Sequence, residues 1–117
     1  SYGLSDDQIA QMLQDSFTTA EVDMKARALV EARVDCDRML LATQSALNAD
    51  GQLLSLEDRA QIDSLMLALR HTVDTSQDAQ AVEDATQALA HATEAFAARR
   101  MNKGIAQALA GKNIATL

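Results

Sequence analysis

Apolar residues recur along this chain at intervals of three and four. Ile9, Met12, Leu13, Ser16 and Phe17 mark one face of a helix near the start. Cys36, Leu40, Thr43 and Leu47, with Met39 and Ala46 beside them, mark a second stripe. Ile62, Leu65, Met66, Leu69 and Val73 make a third, and Val82, Ala85, Leu89, Ala92 and Phe96 alternate by three and four as a bundle seam does. The pattern predicts an all-α fold: an extended helical arm leading into an antiparallel three-helix bundle, with Leu40, Leu47, Ile62, Leu65, Leu69, Val82, Leu89 and Phe96 in its core.

Capping signals divide the pattern into elements. Ser5 is a good N-cap, Gln8 completes a capping box, Leu4 and Ile9 have staple spacing, and Asp6 and Asp7 suit the positive end of the helix dipole. A second T-x-x-E box at Thr18 to Glu21 predicts a kink or break near Phe17–Thr19. A short first helix is then followed by a long one from about Thr19 to Ala49. Its first half is densely charged, an arm in need of a partner surface. Asn48-Ala49-Asp50-Gly51 reads as a stop, and Ser55 as the cap of a helix from Leu56 to Asp74. Thr75 or Ser76 would cap the next, from Asp78 to Met101. Asn102-Lys103-Gly104 would end that helix, and Ile105, Ala108 and Leu109 a short last one, stopped at Gly111. The arm takes about residues 1–38, the bundle about 36–110, and 111–117 is a frayed tail.

Composition agrees with helices. Of 117 residues 48% are hydrophobic and only 3% aromatic, with no Pro or Trp, which suits one helical domain. The charge of −7 is unevenly spread: 17 acids and 6 bases through Glu94, then Arg99, Arg100, Lys103 and Lys112 with no acid. That balance argues against general nucleic-acid binding, which needs dense Lys and Arg; the basic tail reads as a solvated helix end. No apolar run is long enough to span a membrane and no signal-peptide pattern is present. The chain starts without Met, as an excised piece of a larger cytoplasmic protein would.

No catalytic constellation is legible. His71 and His91 lack enough further ligands for a metal, and His91-x-x-Glu94 occurs once. Cys36, on an apolar stripe, reads as a small buried hydrophobe. There is no glycine-rich phosphate loop. The residues call for no cofactor within this chain.

The opening run S-x-G-L-S-x-D-Q-I-x-x-M-x-x-D-S, Ser1 to Ser16, resembles the start of the C-terminal helical lid of the seventy-kilodalton heat-shock chaperones (DnaK-like). Ala20-Glu21-x-Asp23-x-Lys25, the run Val30-Glu31-Ala32-Arg33 and Asp37 continue the match. The likeness covers nearly the whole chain and is nearest to the bacterial HscA branch, which serves iron–sulfur cluster assembly. The resemblance implies a lid closing over peptide held in a separate β-sandwich, slowing its release. It implies ATP hydrolysis by a distant domain, an iron–sulfur scaffold protein as client, and a J-domain co-chaperone acting on the parent. Ile9, Met12, Leu13 and Phe17 would form the arm's contact face. Asp37, in the V-x-x-R…D pattern with Arg33, would latch the lid to the β-sandwich; Leu41 stands where DnaK has the latch histidine. Asp37 could instead pair with Arg33 or Arg38 on the helix surface, worth only about 0.3–0.5 kcal/mol. The alternative function is a helical oligomerisation module, in which the first helix's apolar face pairs with another copy.

Overall fold

A computed structural model describes residues 3–116, with side chains for 3–112. Among the described residues there are four α-helices, one 3-10 turn and no strand. The first helix, α1, runs from Asp6 to Asp50 and is 45 residues long. A 3-10 turn at Gly51–Leu53 leads to α2, Leu56–Thr75. Then come α3, Ala79–Ala92, and α4, Glu94–Thr116.

The capping box at Ser5 forms: its hydroxyl accepts from the Gln8 backbone N–H, and the Gln8 side chain accepts from the Ser5 N–H at 2.8 Å. The second box, at Thr18, opens nothing. In place of the expected short helix and break near Phe17–Thr19, α1 passes through unbroken. No Gly or Pro lies between Asp6 and Asp50. The poorer propensity of Thr18 and Thr19 costs only tenths of a kcal/mol, which helical cooperativity overrides.

The other breaks shift too. Asp78 caps α3, accepting from the Gln80 N–H, while Ser76, a candidate cap, ends α2 instead. The expected helix from Asp78 to Met101 is interrupted at Thr93. The backbone there relaxes to φ −94°, ψ −2°, yet Thr93 N–H still donates to Leu89 O and Ala97 N–H to Thr93 O. The expected stops at Asn102–Gly104 and Gly111 are absent, and so is a separate fifth helix: α4 carries on through both glycines to Thr116. Each costs a helix about 1 kcal/mol against Ala, too little to break it. The frayed-tail reading therefore falls on residues that are helical as far as Thr116, and Leu117 lies outside the described residues.

Packing begins late in α1. The core comprises Leu29, Ala32, Cys36, Leu40 and Leu47 from α1, Ile62, Met66 and Leu69 from α2, Val82 and Leu89 from α3, and Phe96 from α4. Leu65 is half-buried and packs against this core, with Met66 beside it taking the interior position. Thr43 and Thr86 are the buried polar side chains, and each returns its hydroxyl to a carbonyl one turn back, Met39 O and Val82 O. α2 runs antiparallel to α1 and α3 antiparallel to α2, as the short connections require.

α4 extends the rod. A groove between it and α1 is lined by Met39, Ala42, Thr43 and Ala46 on one side and Thr93, Phe96, Ala97 and Arg100 on the other. Further along, Arg100 and Lys103 reach Asp50 at the end of α1. α4 therefore runs parallel to α1 and passes its end. At 1.5 Å per residue α1 spans about 67 Å and the remainder of α4 about 20 Å. Together these account for most of the 93 Å long axis of a molecule only 35 by 16 Å across.

Candidate functional site on the arm

From Gly3 to Arg27 every residue is exposed. The part of α1 that precedes the bundle is thus a free helix about 33 Å long. Isolated helices are marginal in water, and helices in proteins draw most of their stability from packing. This arm is instead rooted in the bundle through the second half of α1.

Most of the arm's large apolar residues share a side; Val22, also exposed, falls instead on the line of the bundle-facing stripe. Taking 100° per residue, Leu29, Ala32, Cys36, Leu40, Thr43 and Leu47 define the face of α1 turned to the bundle. Ile9, Met12, Leu13, Phe17 and Met24 fall within about 75° of the opposite line, and so do Val30, Val34 and Leu41 further down. All are exposed; Leu13 is 67% and Phe17 69% accessible. Ile9, Met12, Leu13 and Phe17, expected as a contact face, thus form part of an outward apolar strip running most of the length of α1, uncovered by any described residue.

Asp37 lies at the border of that strip, one turn before Leu41. Asp37 is exposed and makes no ion pair among the described residues. Arg33 and Arg38 are both engaged elsewhere. Arg38 stands 4.0 Å from Asp35. Arg33 turns inward: its Nη2 donates to the backbone carbonyl of Ser76 at 3.0 Å, and its Nε is buried without a partner. This separates the candidate latch set. Arg33 ties the root of the arm to the α2–α3 connection, while Asp37 presents a free carboxylate beside the apolar strip. Leu41, 72% accessible, adds apolar area next to it.

The sequence reading missed an ionic clasp at the far end. Asp50 is half-buried, accepts from Arg100 Nε at 2.8 Å and pairs with Lys103. These hydrogen bonds hold its carboxyl below the ordinary value. Arg99 donates to Leu53 O at 3.1 Å and meets Asp58 at 3.3 Å. The reading of the basic tail as merely solvated is corrected for these three cations; they fasten α4 to the corner between α1 and α2. Nothing local announces pairs separated by 41 to 53 positions.

Cys36 is fully buried, and burial, then the charge of Asp37, pushes its thiol up. His71 and His91 are exposed, His91 lying 3.5 Å from Glu94. Among the described residues there is no cluster of three or more candidate metal ligands and no helix long and apolar enough to cross a membrane.

Residues 1–102 match the family described as Hsp70 protein. Over all 117 residues the chain is 67% identical to a protein named Chaperone protein HscA homolog from Acidovorax ebreus (strain TPSY). It is 66% identical, again over 117 residues, to one of the same name from Acidovorax sp. (strain JS42). A third of that name, from Burkholderia orbicola (strain MC0-3), is 59% identical over 114 residues, 97% of this chain. The chain spans 19% of the length of the first two relatives and 18% of the third.

Proposed function

The chain belongs to the Hsp70 family, and from that premise we propose that it is the helical lid of an HscA-like chaperone. In this reading the outward strip of α1 settles over a β-sandwich contributed by another part of the parent chain, and peptide held there is trapped. A lid adds no chemistry. It raises the barrier to escape and so acts on residence time more than on encounter. The bundle gives the arm a rigid root and bulk.

The observation that carries this reading is the arm itself. About 33 Å of helix stands clear of its own bundle with an apolar face on the side turned away. Contiguous exposed apolar surface marks an interaction site, and here it sits on a rigid element at a fixed angle to the bundle. Asp37, free at the border of the strip, supplies one charged contact for a basic group on the surface beneath. Arg33 is assigned to the arm's root and not to that contact.

We assign ATP binding and hydrolysis to the part of the parent outside these residues, and no cofactor to the lid. An iron–sulfur scaffold protein as client, a J-domain co-chaperone and a cytoplasmic setting extend the same proposal. The deciding experiment is peptide dissociation from the parent's substrate-binding region with and without residues 1–117. Faster release without them supports a lid; equal release removes the assignment.

A further inference from the structure

α4 is joined to the bundle differently from the other helices. Of its described side chains only Phe96 is buried; Lys103 is half-buried and the rest are exposed. The other fastenings are polar and fall between residues 99 and 103: Arg99 on Leu53 O and Asp58, Arg100 and Lys103 on Asp50. The side chains of Arg99 and Asp58 are 46% and 44% accessible, so solvent screens that pair. Nor is the seat of Phe96 filled. A groove of about 140 Å³ stays open beside it, between α4 and Met39, Ala42 and Ala46 of α1.

The joint behind α4 is weakened by a side chain. The Thr93 hydroxyl donates to Ala90 O at 3.0 Å, the carbonyl that the Glu94 N–H takes in an unbroken helix. A hydroxyl bonded in this way competes with the helical ladder and bends it. Joint, apolar seat and ionic clasp thus follow one another between Thr93 and Lys103, and every other buried apolar side chain belongs to α1, α2 or α3. We infer that α4 is a hinged strap. It swings off the bundle about Thr93 as one unit, Phe96 leaving its seat as Arg99, Arg100 and Lys103 leave Leu53, Asp58 and Asp50, while α1, α2 and α3 stay folded. Release bares the Phe96 ring and the Met39–Ala46 side of α1, an apolar surface that the docked strap withholds.

This inference does not rest on the lid reading, and either can fail alone. Native-state amide hydrogen exchange of the 117-residue chain reads it. Amides of residues 97–103 are expected to share one opening rate and to exchange at least about tenfold faster than those of Leu40, Leu69 and Leu89. Urea below the unfolding midpoint should speed the core amides steeply and residues 97–103 little, because opening the strap exposes little surface. Asp50→Asn should raise exchange at 97–103 by about threefold or more, and so should a rise in salt from roughly 0.05 to 0.5 M, in the same direction. The chain has two phenylalanines, Phe17 exposed and Phe96 buried. Labelled with 4-fluorophenylalanine, it carries one ring that follows the strap and one exposed reference. Fluorine relaxation dispersion should show exchange at Phe96 and none at Phe17. Residues 97–103 exchanging with the rate and urea dependence of the core amides overturn the inference, since α4 then leaves only when the bundle unfolds. So does Asp50→Asn leaving residues 97–103 at the wild-type rate. Protection that declines residue by residue towards the C-terminus, with Phe96 free of exchange, overturns it as well, because that is fraying of a helix end.

Discussion

The two halves of α1 are built from similar residues and meet different fates. Leu40 and Leu47 are 5% and 3% accessible, whereas Leu13 is 67%. The helix is continuous across the change, so secondary structure does not separate the halves; only the presence of α2 and α3 does. From Leu29 onward an apolar stripe turned inward holds the fold together, while Val30, Val34 and Leu41 stay on the outward side. Before Leu29 the large apolar residues are uncovered and add almost nothing to the isolated chain. One half is available for stability and the other for binding, and a substitution can be aimed at either.

The sharpest break in that contrast is at Leu89, which is fully buried between the helices. Leu89→Ala is expected to destabilise the bundle by about 2–5 kcal/mol in urea unfolding followed by circular dichroism. Phe17→Ala removes a larger side chain from the arm and is expected to change stability by less than about 0.5 kcal/mol. Comparable losses at the two sites would mean that the arm is packed in solution.

Arg33 stands at the junction, and its loss should fall between those extremes. Arg33→Ala removes the hydrogen bond to Ser76 O, and a bond from a charged donor is worth about 1.5–3 kcal/mol. The expected signature is regional: faster amide exchange at the root of the arm and in the α2–α3 connection, with the Leu69 region protected. Uniform loss of protection would place Arg33 in the global core.

The clasp at Asp50 gives a smaller effect, with a pH dependence. Its carboxyl is held below the ordinary value near 3.8 by Arg100 and Lys103. A depressed native value means that the unfolded state binds the proton more readily. The clasp's contribution is therefore complete above the unfolded carboxyl's range and fades as pH falls below about 4 towards the native value. Asp50→Asn should remove that component, so wild type and variant converge in melting temperature on acidification. A constant gap down to pH 2 would sink the assignment.

These sites also show what could be read in advance. The seams Cys36–Leu40–Thr43–Leu47 and Val82–Leu89–Phe96 repeat locally, so spacing alone revealed them. The Ser5 and Ser55 caps were legible because a side chain bonds its own backbone three residues on. The Thr18 box and the glycines at 104 and 111 misled because a local stop signal is worth about 1 kcal/mol and loses to an unbroken helical ladder. Asp50 with Arg100 and Lys103 was invisible, since that pairing exists only once α4 lies beside the end of α1. At the arm, sequence gave Ile9, Met12, Leu13 and Phe17 as one face. That the face points away from the bundle, and that Arg33 parts company with Asp37, follows from the three-dimensional arrangement.

The smallest expected change in the chain itself tests the binding half most directly. Asp37 is exposed and unpaired among the described residues, so Asp37→Asn removes no contact from the fold. Stability of this chain should shift by less than about 0.5 kcal/mol. In the parent, the carboxylate would face a basic group on the β-sandwich, and an exposed ion pair contributes about 0.2–1 kcal/mol. Peptide release should then quicken by about 1.4- to 5-fold, with no change in the rate of binding to the open form. Leu41→Asn, at an exposed site one turn on, separates charge from surface: it trims apolar area and leaves the carboxylate. If Leu41→Asn quickens release and Asp37→Asn does not, the lid is held by its apolar strip and the ionic latch is discarded. If Asp37→Asn alone does so, and the effect fades at high salt, the free carboxylate is the contact that ties the arm to the surface beneath it.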